Sequence, residues 1–404
     1  MNNSPRVEDP EREKDDRYAR FRLIDWWDQD KLRRANVLVV GAGALGNEIL
    51  KNLVLLGVGR ILVADMDTIE NSNLSRSVLF READNGRRKA EVAAKSAGAI
   101  NPDVAVHWFH GDVIHDLGLG VFRWADLVIA GLDNREARLS VNRGCWKTGK
   151  PWIDGAIERL DGVVRVFVPP HGACYKCTMG QADWDILKSR KSCNLLTRDD
   201  MLAGKVPTTP TSASVIAGIQ CQEAVKLLHG LEVLESKGYI FHGLTHDSYV
   251  VAYPKKDPCF SHETYGRVEP LGRGVAGTKA GEIVADIERR LGRGAVVEFN
   301  REIVASMDCL RCGTSTPVFK ALGKMTERDA LCPACGEPRD PQILHSLNGD
   351  EPFLDKSLAE IGIPPFDIIV GRKGTDEIYL EFDADAPRVL GPLFQSRPTG
   401  EGAT

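Results

Sequence analysis

No stretch of this 404-residue chain approaches the roughly twenty consecutive apolar residues that a membrane-spanning helix needs. The opening MNNSPRVEDPEREKDDRYAR also lacks the apolar core of a secretory signal. These two absences make the cytoplasm the expected location. A surplus of positive charge is missing as well: 52 Lys and Arg stand against 57 Asp and Glu, for a net charge of -5. That balance excludes a general attraction to nucleic acid or to an anionic membrane. There is no internal repeat. In a reducing compartment the ten cysteines are expected to be metal ligands, a nucleophile or buried apolar groups rather than a disulfide framework.

The chain is long enough, at 43% hydrophobic residues, for two or three domains that each bury a core. Residues 1–16 and 395–404 are polar and charged and read as disordered tails. Between Asn36 and Asp67 the text runs buried strand, glycine turn, apolar-periodic helix, buried strand: one βαβ unit of a parallel sheet. ADLVIAGLDN supplies a further buried strand. KPWIDGAI and GVVRVFVPP continue as strands, and SASVIAGIQCQEAVKLLHG is a helix closed by Gly230. The expected class is α/β: a doubly wound, mostly parallel Rossmann-like sheet over residues 17–265. Residues 266–285 read as linker and helix start. Residues 286–394 read as an α+β module with a zinc ribbon and a strand pair turning at RKGTD.

GAGALG, with Gly41, Gly43 and Gly46, sits between strand and helix, where glycine lets the backbone approach phosphates and the helix N-terminus offers free N–H groups. The turn indicates a nucleotide without saying which. Asp65, at the end of the second strand, is placed to accept from ribose hydroxyls; the alternative is a capping carboxylate. A nicotinamide-dependent oxidoreductase would need nothing more. Downstream, however, Asn73, Arg76 and Lys89, with Arg87 and Arg88, bring donors and positive charge. Attack of a carboxylate on an α-phosphate brings two anions together and requires such charge, with a metal. Asp133 in GLDN is suited to hold magnesium, or else is an ordinary loop aspartate.

RYARFRLI, GAGALG, DMDTIENSNLSR, GRRKA, GLDN, CYKC and TPTSASVIAGIQCQEAVKLL follow one another in this order between residues 17 and about 265. That series resembles the ubiquitin-activating superfamily of ThiF-, MoeB- and HesA-type adenylyltransferases, including those of the thiamine and molybdopterin sulfur-carrier pathways. The resemblance implies ATP-dependent adenylation of the C-terminal glycine of a ubiquitin-like or sulfur-carrier protein. Asp65 would bind ribose; Asn73, Arg76 and Lys89 the phosphates; Asp133 magnesium. Arg20 matches an arginine that reaches into the partner's site in homodimeric members, which implies a homodimer. The sequence departs from the family at Ser77, where glutamine is usual. It also departs at Asn47 and Glu48, read as tolerable because no charged catalytic group is lost.

Cys174 and Cys177 form one C-x-x-C pair, and Cys259 with His262 has the same spacing. Together they supply four ligands for a tetrahedral zinc; alternatively, His262 is a surface residue. Cys309, Cys312, Cys332 and Cys335 form a second set with the spacing of a zinc ribbon. Cys221 and Cys145 fall on buried helix faces. Cys193 stands in the polar, basic KSRKSCNLLTRDD, within a loop near 180–207, where neighbouring cations favour a thiolate. In the resembled enzymes a cysteine here takes the activated protein as a thioester, whereas other members only adenylate. LAEIGIPPFDIIV loosely resembles the ubiquitin-fold domains with which some activating enzymes recruit a conjugating enzyme. A single-chain activator with such an appendage suits compact bacterial ubiquitin-like conjugation systems, some of which act in antiviral defence. A sulfur-carrier adenylyltransferase without a conjugating partner is the alternative.

Overall fold

In β1 (Asn36–Val40) Val37 and Val39 face one hydrophobic core while Leu38 and Val40 face another, and all four are buried. A strand apolar on both sides must be covered on both sides. The computed structural model, which describes residues 16–185 and 207–395, meets this with a two-faced sheet. β2 (Arg60–Asp65), β3 (Ala105–His110), β4 (Leu127–Ala130) and β5 (Trp152–Glu158) run parallel to β1. β6 (Asp161–Phe167), β7 (Lys237–His242) and β8 (Asp247–Ala252) then continue antiparallel. The order is β3-β2-β1-β4-β5-β6-β7-β8. The winding therefore reverses between β1 and β4, the switch point outside whose carboxyl ends such sheets bind ligands. This is the α/β architecture that the sequence indicates.

One face carries α2 (Ala44–Leu56), α3 (Lys89–Ile100) and α7 (Pro210–His229); the other carries α4 (Leu119–Trp124) and α5 (Arg135–Thr148). Two short helices, α1 (Gln29–Arg34) and α6 (Tyr175–Thr178), complete this part. The long α7 starts where Thr209 accepts the Ser212 N–H and stops at Gly230, whose φ of 74° ends the helix without strain. Its Cys221 is buried against α2, and Cys145 is buried within α5. Among the described residues no helix is long and apolar enough to cross a membrane.

The second sheet has the order β11-β10-β13-β14-β9, with β12 also on β10. Its strands are β9 (Val268–Pro270), β10 (Val296–Asp308), β11 (Ser315–Ala321), β12 (Asp340–Leu347), β13 (Ile368–Lys373) and β14 (Asp376–Glu381), with α8 (Ala280–Leu291) packed on it. β9 lies in the stretch read as linker, yet it pairs in parallel with β14 and belongs to this sheet. The module shares a core with the first sheet: Phe366, Ile368 and Val389 join Leu38, Phe122 and Val128 in one buried cluster.

The seam between the two parts is also polar. Leu119 N–H donates to Asp367 Oδ1 at 2.8 Å, and Arg123 Nε donates to Glu381 Oε1 at 2.7 Å. At Gly118 a Cβ would stand 2.4 Å from the Phe366 carbonyl oxygen, so the close approach requires glycine.

Candidate functional site

The turn after β1 is built for close approach to the backbone. Gly41 has φ 94°, and a Cβ there would lie 2.5 Å from the Gly131 carbonyl oxygen; at Gly46 it would lie 1.9 Å from that of Gly41. These two glycines serve the packing of turn against strand and helix. Gly43 differs, because a Cβ there would meet nothing within 4 Å. It is the N-cap of α2 and has no side chain to cap with, so it gives the first N–H groups of this 13-residue helix no side-chain partner. Asn47, fully buried, anchors the turn: its amide donates to the carbonyls of Ala42 (2.8 Å) and Gly43 (3.0 Å) and accepts from Leu79 N–H (2.8 Å). Asn47 is therefore more than a tolerated departure, since it ties the glycine turn to the 70s loop.

Asp65 ends β2 beside this turn. Its carboxylate accepts from Ala42 N–H and Asp67 N–H, each at 2.7 Å. It thus does the work of a capping carboxylate, and each oxygen keeps a further lone pair for a ribose hydroxyl. Burial raises its pKa above the ordinary carboxylate value, with Lys89 acting against the rise. Lys89, the first residue of α3, pairs with Asp67 at 2.8 Å with its side chain 13% exposed. Arg76 donates to the Ser72 carbonyl at 2.7 Å, and the Asn73 side-chain oxygen accepts from Glu70 N–H at 3.0 Å. Arg87 pairs with Asp84, and the Arg88 guanidinium lies over Trp108. The predicted phosphate-binding groups thus occur on one loop, each held by internal bonds.

Asp133 is exposed just beyond β4, where the next residue, Asn134, caps α5 by accepting from Ala137 N–H at 2.8 Å. One turn on, Arg138 is buried; it donates to Asp154 at 2.8 Å and to the carbonyls of Leu132 and Gly155. Asp154 also faces Arg165 at 3.2 Å. This buried cluster holds the ends of β4 and β5 and the loop that carries Asp133. Neither Arg138 nor Asp154 was singled out by sequence reasoning, although an N-cap Asn followed four residues later by Arg is the available signal.

Arg20 is exposed in a 3-10 turn at Ala19–Leu23. Cys193 lies outside the described residues. The segment that contains it begins beside the site, because Asp183 pairs with Arg135 at 2.9 Å, two residues after Asp133.

Both predicted four-ligand sets come together, each with its ligand atoms within 4.8 Å of one another. In the first, Cys174 Sγ is 3.7 Å from the sulfurs of Cys177 and Cys259, and Cys177 Sγ is 3.3 Å from His262 Nε2. In the second, Cys309–Cys335, Cys312–Cys332 and Cys312–Cys335 are each 3.6 Å apart. A tetrahedron with Zn–S bonds of about 2.3 Å has edges of about 3.8 Å, so both sets fit zinc. The His262 ring stacks on Trp146 at 4.3 Å, which makes it part of the cluster and not a stray surface histidine.

Residues 16–260 match the family model described as the ThiF family. The chain belongs to the ThiF family. Among curated proteins this ThiF-family chain is 44% identical, over 154 residues, to a sulfur carrier protein adenylyltransferase of Thermus thermophilus, covering 37% of the chain and 57% of the relative. It is 29% identical over 225 residues to ubiquitin-like modifier-activating enzyme 5 of Dictyostelium discoideum, covering 52% and 57%. It is 36% identical over 174 residues to the SAMP-activating enzyme E1 of Haloferax volcanii, covering 41% and 63%. The chain thus spans less than two thirds of the length of each. Among solved structures, E. coli MccB with ATP aligns with a TM-score of 0.51 at 22% identity, over 62% of this chain and 74% of that one. That likeness concerns the fold.

Proposed function

We propose that this protein uses ATP to adenylate the C-terminal glycine of a ubiquitin-like or sulfur-carrier protein. The observation that carries the reading is one of place: the open helix N-terminus at Gly43, Asp65, the Lys89 loop and Asp133 all lie outside the carboxyl ends of β2, β1 and β4. In the proposed reaction Asp65 accepts from the ribose hydroxyls and Lys89, Arg76 and Asn73 receive the phosphates. Lys89 exchanges its pairing with Asp67 for a phosphate oxygen. A carboxylate oxygen of the carrier attacks the α-phosphorus; the bond to the β-phosphate oxygen breaks, leaving an acyl-adenylate and pyrophosphate. Magnesium held by Asp133 would neutralise charge on the departing group. The Cys193 thiolate then attacks the acyl carbon and displaces AMP, and the thioester is handed to a conjugating enzyme. Arg20 would complete the site of a second copy in a homodimer.

The test is exchange of labelled pyrophosphate into ATP in the presence of a small glycine-tailed protein. Lys89→Ala is expected to lower the exchange about 100-fold or more; no exchange by the wild-type chain with any such carrier overturns the reading. A thioester that dithiothreitol releases, and that Cys193→Ser abolishes, tests the second step. Because burial raises the Asp65 pKa, ATP affinity should fall as the pH drops through that raised value, at a higher pH than for an ordinary aspartate.

The similarity to the Thermus sulfur carrier protein adenylyltransferase favours a second reading, in which the chain stops at the adenylate. Exchange activity without any thioester would select it.

A further inference from the structure

The turn that follows β3 touches both halves of the molecule. β3 lies beside β2 with His110 paired to Asp65, so both side chains project from the same face of the sheet. Gly111 N–H donates to the Asp65 carbonyl at 3.3 Å. Among the described residues His110 Nδ1 is buried without a hydrogen-bond partner, next to the acid assigned to ribose. The following residues fold into a tight turn, in which Asp112 accepts from Ile114 N–H and Asp116 from Asp112 N–H. This turn stands as a wall at the carboxyl end of β3, beside the Asp65 end of β2.

The C-terminal module holds that wall at three points. Arg301 on β10, its side chain 6% exposed, donates from Nη1 to the His115 carbonyl at 2.7 Å while its Nη2 pairs with Asp367 at 2.8 Å. Lys324 pairs with Asp116. Between them Gly323 lies against the His115 ring, where a Cβ would stand 2.4 Å from Nε2. A side chain at that position displaces the His115 ring from where it lies.

We infer that the C-terminal module is part of the nucleotide site: Arg301, Gly323 and Lys324 are positioning residues that set the 110–116 turn against the adenosine half of ATP. This rests on the ATP reading above. The module thereby acts on ATP affinity and leaves the phosphate chemistry at Lys89 and Asp133 untouched.

The experiment uses the full chain, with MgATP as the probe in calorimetric titration and in hydrogen exchange. MgATP should slow exchange within residues 110–116 of the wild type. Gly323→Val, which would displace the His115 ring and disturb its turn, should weaken ATP binding about five- to tenfold and leave the maximal pyrophosphate-exchange rate within about twofold. His115→Ala in the same chain should restore affinity by removing the ring. If Gly323→Val does not fold, Lys324→Glu and its charge-swapped partner Lys324→Glu/Asp116→Lys ask the same question; the first should weaken binding and the second recover it. Wild-type binding that is unchanged in these variants, weakening that neither second substitution reverses, or exchange at 110–116 that MgATP leaves unaltered overturns this inference alone. A wild-type chain that does not bind MgATP overturns the nucleotide reading and this inference together.

Discussion

The two four-ligand clusters share a ligand spacing and little else. The first joins segments 85 residues apart, on α6 and beyond β8, and keeps Cys174 and Cys177 buried against Trp146. The second joins Cys312 to Cys332, 20 residues apart, and leaves Cys312 and Cys335 exposed. Closing the longer loop accounts for only about 1 kcal/mol of difference, since the entropy grows with the logarithm of length. Burial therefore decides. Each cluster has two buried ligands; the other two are half-buried in the first and exposed in the second, so water reaches a vacated position more readily in the second. The same motif is thus expected to act as a keystone in one domain and as a local clasp in the other.

The sharpest way to break this comparison is to remove one buried ligand. Cys174→Ala should release one equivalent of zinc and cost about 3–5 kcal/mol, lowering the thermal midpoint by roughly 6–15 °C. Cys312→Ala should also release one equivalent but cost only about 1–2 kcal/mol, with faster hydrogen exchange confined to residues 309–339. Metal analysis beside thermal unfolding reads both, and equal losses of stability would dissolve the distinction. Treatment with a chelator sharpens it further: zinc should leave the Cys309–Cys335 cluster, with its two exposed ligands, first and the Cys174–His262 cluster later, in two phases. His262→Cys should keep the first zinc while His262→Ala loses it. Retention by the alanine variant would remove His262 from the ligand set despite its stacking on Trp146.

How far each cluster could be read from the sequence follows the same division between local and distant contacts. Each C-x-x-C pair is a local signal, as are GAGALG, the acid closing β2 and the N-cap Asn134, because turn, cap and strand end lie within a few residues of one another. What could not be read depends on contacts across the fold. Asn47 looks like an unremarkable helix residue until Leu79 is seen beside it. Arg138, Asp154 and Arg165 become a buried network only once β4, β5 and β6 are adjacent. The three-residue β9 has no alternation to betray it and ends in proline, so its place in the second sheet depends on β14 arriving alongside. Gly118 and Gly323 look like ordinary turn glycines, and their reason lies in the other domain, at Phe366 for one and across the seam at His115 for the other.

The smallest expected effect separates the ligands from the residues carried between them. Phe260, between Cys259 and His262, is 87% exposed, and Leu310, between Cys309 and Cys312, is 84% exposed. Both are large apolar side chains, yet neither is buried in a core, so truncation creates no cavity and little apolar surface changes its contact with water. Phe260→Ala and Leu310→Ala should each shift stability by no more than about 0.5 kcal/mol and leave the zinc content unchanged. The Lys176 ammonium lies 5.8 Å from the Phe260 ring, an exposed cation–π contact whose contribution of about 0.5 kcal/mol falls within that margin. A larger loss at Phe260 than at Leu310 would mean that the first knuckle is held by its tip as well as by its ligands. The contrast between keystone and clasp would then owe as much to that ring as to the buried sulfurs.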